Sequence, residues 1–189
     1  MAVLHFGAKS NIFSCLDYFG FEIELMPSGS TFEELLAVKP NGVLLSNGPG
    51  DPSATNQSTE KILKKLIYET EIPIIGICHG AQFLAEKEKS VLVKSKNHTK
   101  PHDIIIDKQI YKKQKLSKLK SHHNYKILNI KNYHCSAFAN DNSVESFYNR
   151  KNKVVGIIWH PERQIDIKKQ KKIILKYYEI INSSVRKRI

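Results

Sequence analysis

Ile72-Pro-Ile-Ile-Gly-Ile-Cys-His-Gly-Ala-Gln-Phe-Leu-Ala85 is a short apolar, β-prone run that ends at a cysteine, turns through small residues and continues as a helix former. That is the sequence form of a nucleophile elbow, in which a strand carries a nucleophile to the rim of a sheet and a helix begins directly behind it. The helix N-terminus beneath the sulfur of Cys78 carries partial positive charge, which favours an anionic sulfur. Gly76 and Gly80 fit this reading, because a Cβ on either side of so tight a turn would crowd the backbone. If Cys78 is a nucleophile, the rest of the chain must supply a base and donors for an oxyanion.

Upstream of the elbow, short apolar runs alternate with helical patterns. Ala2–Phe6, Phe21–Met26 and Gly42–Leu45 read as strands. Ser10 is placed to cap a helix over Asn11–Phe19. Thr31-Phe-Glu-Glu34 is a capping box that opens a short helix, and a further helix spans Ser58–Tyr68. This order predicts an α/β fold with a mostly parallel central sheet and helices on both faces. Downstream the character changes. Val91–Lys94, Asp103–Asp107, Tyr125–Ile130, His134–Ala139, Val144–Tyr148 and Val154–Trp159 read as strands, and helix returns over Ile167–Ile181. Antiparallel strands are therefore expected in the second half. Lys112–Lys120 is polar and lacks strand alternation, so it reads as a mobile loop. Tyr133-His134-Cys135 reads as core strand rather than a second site, because apolar alternation explains it. No linker or repeat interrupts the chain, and residues 1–189 are expected to form one domain.

The base is expected at His160-Pro-Glu162, directly after the apolar strand Val154-Val-Gly-Ile-Ile-Trp159. Strand ends are where active sites gather in α/β folds. In an extended segment residues two apart point the same way, so Glu162 would fix the tautomer of His160. The oxyanion donors are expected in Leu45-Ser-Asn-Gly-Pro-Gly-Asp-Pro52. Its glycines let backbone N–H groups approach a ligand closely. Cys78, His160 and this loop are each ordinary alone; all three at strand ends favour catalysis.

Composition bounds the alternatives. The chain is 41% hydrophobic and 25% charged, ordinary for a soluble globular protein. No apolar run has the length of a membrane span, and the N-terminus lacks the pattern of a signal peptide. Cys15, Cys78 and Cys135 have no paired spacing, which argues against a disulfide framework or zinc site and for a reducing cytoplasm. The net charge is +12, with lysines clustered over Lys108–Lys120 and Lys168–Arg188. No nucleic-acid-binding motif accompanies them, so they read as a solvated face; a basic surface would still attract a nucleotide-bearing or phosphorylated substrate.

Gly76-Ile-Cys-His-Gly-Ala-Gln82 and His160-Pro-Glu162 together resemble the class I glutamine amidotransferases, the triad type with Cys, His and Glu. The resemblance covers residues 2 to 180. The first third, with Phe6-Gly-Ala-Lys-Ser-Asn11 and Ser46-Asn-Gly-Pro-Gly-Asp-Pro52, is similar to the glutaminase domain of the carbamoyl-phosphate synthase small subunit, whose additional N-terminal domain has no counterpart here. The remainder is similar to stand-alone hydrolases of γ-glutamyl amides, notably the γ-glutamyl-CDP-amidate hydrolase type. Asn97-His98, His122-His-Asn-Tyr125, Ala137–Phe147 and Gly156-Ile-Ile-Trp-His-Pro-Glu-Arg163 carry that likeness.

The resemblance implies Cys78, His160 and Glu162 as catalytic residues. It implies that Gly48 and Gly50 hold the oxyanion and the glutamyl backbone, that the N–H of His79 completes the oxyanion hole, and that Gln82 contacts the α-amino-acid end of the substrate. His122, Asn124 and Tyr125 match positions lining the glutamine pocket. The implied reaction is hydrolysis of glutamine or a γ-glutamyl amide through a thioester, with no metal or cofactor. Two departures count against a synthetase partner subunit, which is the alternative. His79 stands where the synthase-like branch usually has Leu, and Thr-Lys-Pro replaces a Gly-Gly pair near residues 97–102.

Overall fold

The computed structural model describes residues 1–8, 10–52, 57–95, 100–121 and 123–182. Its first half alternates strand and helix as β1 (Ala2–His5), α1 (Asn11–Phe19), β2 (Glu24–Pro27), α2 (Phe32–Ala37), β3 (Val43–Leu45), α3 (Gln57–Glu69), β4 (Ile74–Ile77) and α4 (His79–Lys87). The second half is β5 (Val91–Lys94), β6 (His102–Ile106), β7 (Lys115–Leu119), β8 (Tyr125–Asn129), β9 (His134–Ala139), β10 (Val144–Asn149) and β11 (Val154–Ile157), followed by a 3-10 turn over Pro161–Arg163 and α5 (Ile167–Asn182).

These strands form one sheet in the order β2-β1-β3-β4-β11-β10-β9-β6-β7, with the β5–β8 pair joined through β10. The run from β2 to β11 is parallel. From β10 onward the pairings are antiparallel. Central strands β4 and β11 are buried throughout, which is why Ile-Ile-Gly-Ile and Val-Val-Gly-Ile are continuous apolar runs rather than alternating ones. Two cores follow. On one face Val3, Leu44, Ile75 and Val155 pack under Ile12 and Leu16 of α1 and Ile173 and Tyr177 of α5. On the other, Leu4, Leu45 and Ile74 pack under Leu35 of α2, Leu63 and Leu66 of α3 and Leu84 of α4. At the shared register Leu45, Gly76 and Gly156 lie side by side, so the ends of β3, β4 and β11 share one rim of the sheet.

The Thr31 capping box forms with both reciprocal bonds. Two expectations are corrected. Ser10 makes no side-chain cap, because its backbone is already right-handed helical (φ −51°, ψ −31°), a geometry unlike the extended one a capping side chain requires. Within Lys112–Lys120, residues 115–119 are strand β7, paired with β6. A register shift between His102 and Ile104 and the positive φ of Lys118 set buried Leu116 and Leu119 three apart, which erases the two-residue alternation. Among the described residues no helix is long and apolar enough to cross a membrane.

Candidate active site

Cys78 follows the last residue of β4 and precedes the first residue of α4. Its backbone sits at φ 50°, ψ −103°, a strained conformation for a residue with a Cβ. The surroundings hold it there: its N–H donates to the Ile157 carbonyl at 2.8 Å and its carbonyl accepts from Gln82 N–H at 2.9 Å. Gly80 N–H donates to the Ser46 carbonyl at 3.2 Å. The elbow packs so tightly on β3 that a Cβ on Gly80 would overlap the Leu45 carbonyl, and one on Gly76 would stand 2.7 Å from Ala81 N.

His160 follows β11, two strands along from β3. Its Nδ1 donates to Glu162 Oε1 at 2.7 Å, and both side chains are buried. The pair does meet, but not through an extended segment. Pro161–Arg163 is a 3-10 turn closed by Arg163 N–H on the His160 carbonyl at 3.1 Å, and Pro161 suits the start of such a turn. With Nδ1 committed to the carboxylate, Nε2 is left for the thiol. Nε2 is shielded from solvent and, among the described residues, makes no close hydrogen bond. Burial opposes a charge on this ring, but the interactions with Cys78 and then Glu162 outweigh it and push the His160 pKa up to about 9. That direction favours the cationic imidazole at neutral pH. Cys15, from α1, is a different thiol: burial and then the Glu162 charge push it up to about 12.

A cavity of about 320 Å³ opens beside Cys78, lined by Gly7, Asn47, Gly48, Pro49, His160 and Arg163. Gly48 approaches β1 so closely that a Cβ would overlap the Phe6 carbonyl, and Gly50 adopts φ 98°. His79 is buried, its ring 5.6 Å from that of Phe6; desolvation lowers its pKa, opposed by the Asp51 charge. As the first residue of α4, its N–H is not used by the helix itself.

Gln82, Asn124 and Tyr125 are not among the residues lining that cavity. Gln82 Nε2 donates to the Tyr125 carbonyl at 2.7 Å, and the Tyr125 hydroxyl donates to Asp51 Oδ2 at 2.7 Å. Asn124 is exposed, and its carbonyl accepts from Ser95 N–H at 2.7 Å. His122, Asn97 and His98 lie outside the described residues. Sequence reasoning missed Asn47, whose Nδ2 donates to Glu162 Oε1 at 3.1 Å. It lies in the glycine-rich loop two places past an apolar strand, where a polar side chain at a strand end was the available signal. Among the described residues no three His, Cys, Asp or Glu side chains gather in a way that would hold a metal ion.

A family model described as "Glutamine amidotransferase class-I" matches residues 2–180. The carbamoyl phosphate synthase small chain of Gracilaria tenuistipitata var. liui is 31% identical over 169 residues, 85% of this chain and 40% of that one. The protein of the same name from Brucella anthropi is 46% identical over 85 residues, 45% of this chain and 21% of that one. The chain thus spans less than half the length of these relatives. Among solved structures, a candidate GMP synthase subunit from Thermoplasma acidophilum superposes with a TM-score of 0.80 at 21% identity, covering 98% of this chain and 94% of that one. A glutamine amidotransferase from Thermotoga maritima gives 0.70 at 14% identity, covering 96% and 98%. These two likenesses speak to the fold.

Proposed function

The chain belongs to the class I glutamine amidotransferase family, and from that premise we propose that it hydrolyses the γ-amide of glutamine or of a γ-glutamyl conjugate, with Cys78, His160 and Glu162 as its triad. The observation that carries this reading is a strained Cys78 beside an imidazole whose far nitrogen is bound to a buried carboxylate at 2.7 Å.

The chemistry follows from that arrangement. The sulfur of Cys78 attacks the γ-carbonyl carbon, and the carbonyl π electrons move to oxygen. The N–H groups of His79 and Gly48 stabilise that oxyanion. His160, cationic at neutral pH, passes its Nε2 proton to the amine as the C–N bond breaks, leaving a γ-glutamyl thioester. The neutral imidazole then takes a proton from water, which attacks the thioester, and collapse of that intermediate releases glutamate and the Cys78 sulfur anion beside the re-protonated ring. Glu162 holds the ring in the required tautomer throughout. Gln82, His122, Asn124 and Tyr125, with Gly50, receive the amino-acid end of the substrate. A reducing cytoplasm would keep the catalytic thiol free, and residues 1–189 act as one amidotransferase domain.

The relatives named carbamoyl phosphate synthase small chain favour a second reading, in which the ammonia passes to a separate synthetase subunit. Turnover by the purified chain separates the two. Steady glutamate release from glutamine or larger γ-glutamyl amides, absent in Cys78→Ala, supports the hydrolase. Weak release from glutamine that rises sharply with an added synthetase supports the subunit. Full activity in Cys78→Ala removes the catalytic assignment altogether.

A further inference from the structure

Asn47 lies two residues past β3 and is 5% exposed. Its Nδ2 is 3.1 Å from Glu162 Oε1 and 3.3 Å from His160 Nδ1. His160 Nδ1 is itself 2.7 Å from the same Oε1. Chemistry dictates the amide orientation, since the reversed amide would set Oδ1 against a carboxylate oxygen. Nδ2 and Nδ1 both carry protons, so they do not bond each other; two N–H donors converge on one oxygen. In the sheet β4 separates β3 from β11. Asn47 therefore reaches past the Cys78 strand to the turn bearing Glu162.

That turn gives Glu162 little support of its own. It spans three residues and belongs to no ladder. Glu162 Oε2 is buried and makes no hydrogen bond among the described residues. The charged neighbour in competition for this carboxylate is Arg163, whose Nε stands 3.8 Å from Oε1. We infer that Asn47 is a positioning residue: its amide holds the Glu162 carboxylate on His160 and away from Arg163, so the imidazole stays aimed at Cys78. The kinetic part rests on the function proposed above; the effect on thiol reactivity does not.

The test uses Asn47→Leu and Asn47→Asp, close in size to Asn but without the amide donor, and Asn47→Ser, which keeps a donor on a shorter arm. The Leu change is also combined with Glu162→Ala. Three quantities are read: kcat and KM for glutamine, and the rate at which iodoacetamide alkylates Cys78 across pH, followed on the Cys78 peptide. The groups acting on the imidazole in that titration are Cys78 on the elbow and Glu162 on the turn, with Cys15 on α1 and Arg163 on the turn acting on Glu162. Asn47→Leu and Asn47→Asp are expected to lower kcat about 10–100-fold with KM changed less than about 3-fold. Both should slow alkylation near neutral pH, and Asn47→Ser should recover part of each loss. In the Glu162→Ala background the Leu change should lower kcat less than about 3-fold further, because its route of action is already gone. Equal losses in both backgrounds would overturn the inference, as would an unchanged alkylation profile in a folded Asn47→Asp protein. If wild type leaves glutamine intact while the alkylation profile moves as expected, the proposed substrate falls and the positioning role stands.

Discussion

At the residue scale the account turns on His160. Its pKa is raised to about 9 from an ordinary value near 6.5, against the pull of burial, by Cys78 and Glu162. Raised in the folded state, the protonated ring stabilises the fold below its unfolded pKa, and that contribution is lost as pH rises through about 9. Denaturant titrations from pH 6 to 10 should therefore show stability falling over the alkaline half. The fall should be smaller in Cys78→Ala, which removes one of the groups that raise the pKa. An unchanged fall would separate Cys78 from the ring. On the proposed mechanism activity should decline over the same alkaline range, as His160 loses the proton assigned to the leaving amine. That His160 meets Glu162 and shares a cavity with Cys78 was legible because each sits in a local pattern of strand end and turn. Asn47 was not, because its meaning depends on a partner 115 positions away.

At the scale of elements, some local chemistry was readable where a bond closes within four residues. The Thr31–Glu34 box is the clearest case, and Thr31→Ala should destabilise the protein by about 1 kcal/mol in urea unfolding. Gly80→Ala tests the packing of α4 on β3. A methyl there meets the Leu45 carbonyl, and destabilisation of about 1–3 kcal/mol or more is expected, with loss of activity as the elbow shifts. A Gly80→Ala protein of wild-type stability would contradict that packing. Strand β7 escaped the sequence reading for the opposite reason. Leu116 and Leu119 are buried by pairing with β6 across a register shift, and no local pattern records such a shift. Ser10 sits at the right position for a cap, yet the backbone entering α1 is helical one residue early.

At the scale of the molecule, the parallel run of the sheet with a helical layer on each face was legible from the β–α alternation of the first half. The sheet order beyond β11 was not. β10 pairs with β11, β9 and β8 at once, and that choice is made by distant strands competing for one edge. The fold serves the chemistry by bringing the ends of β3, β4 and β11 to one rim, with Asn47, Cys78 and His160 emerging from them. The central claim is covalent catalysis at Cys78, and rapid acid quench of the enzyme with glutamine, followed by intact and peptide mass spectrometry, tests it most directly. The account predicts one glutamyl group on the peptide bearing Cys78, gone in Cys78→Ala. Glutamate release with no adduct on Cys78, or an adduct on Cys15 or Cys135 instead, would contradict it.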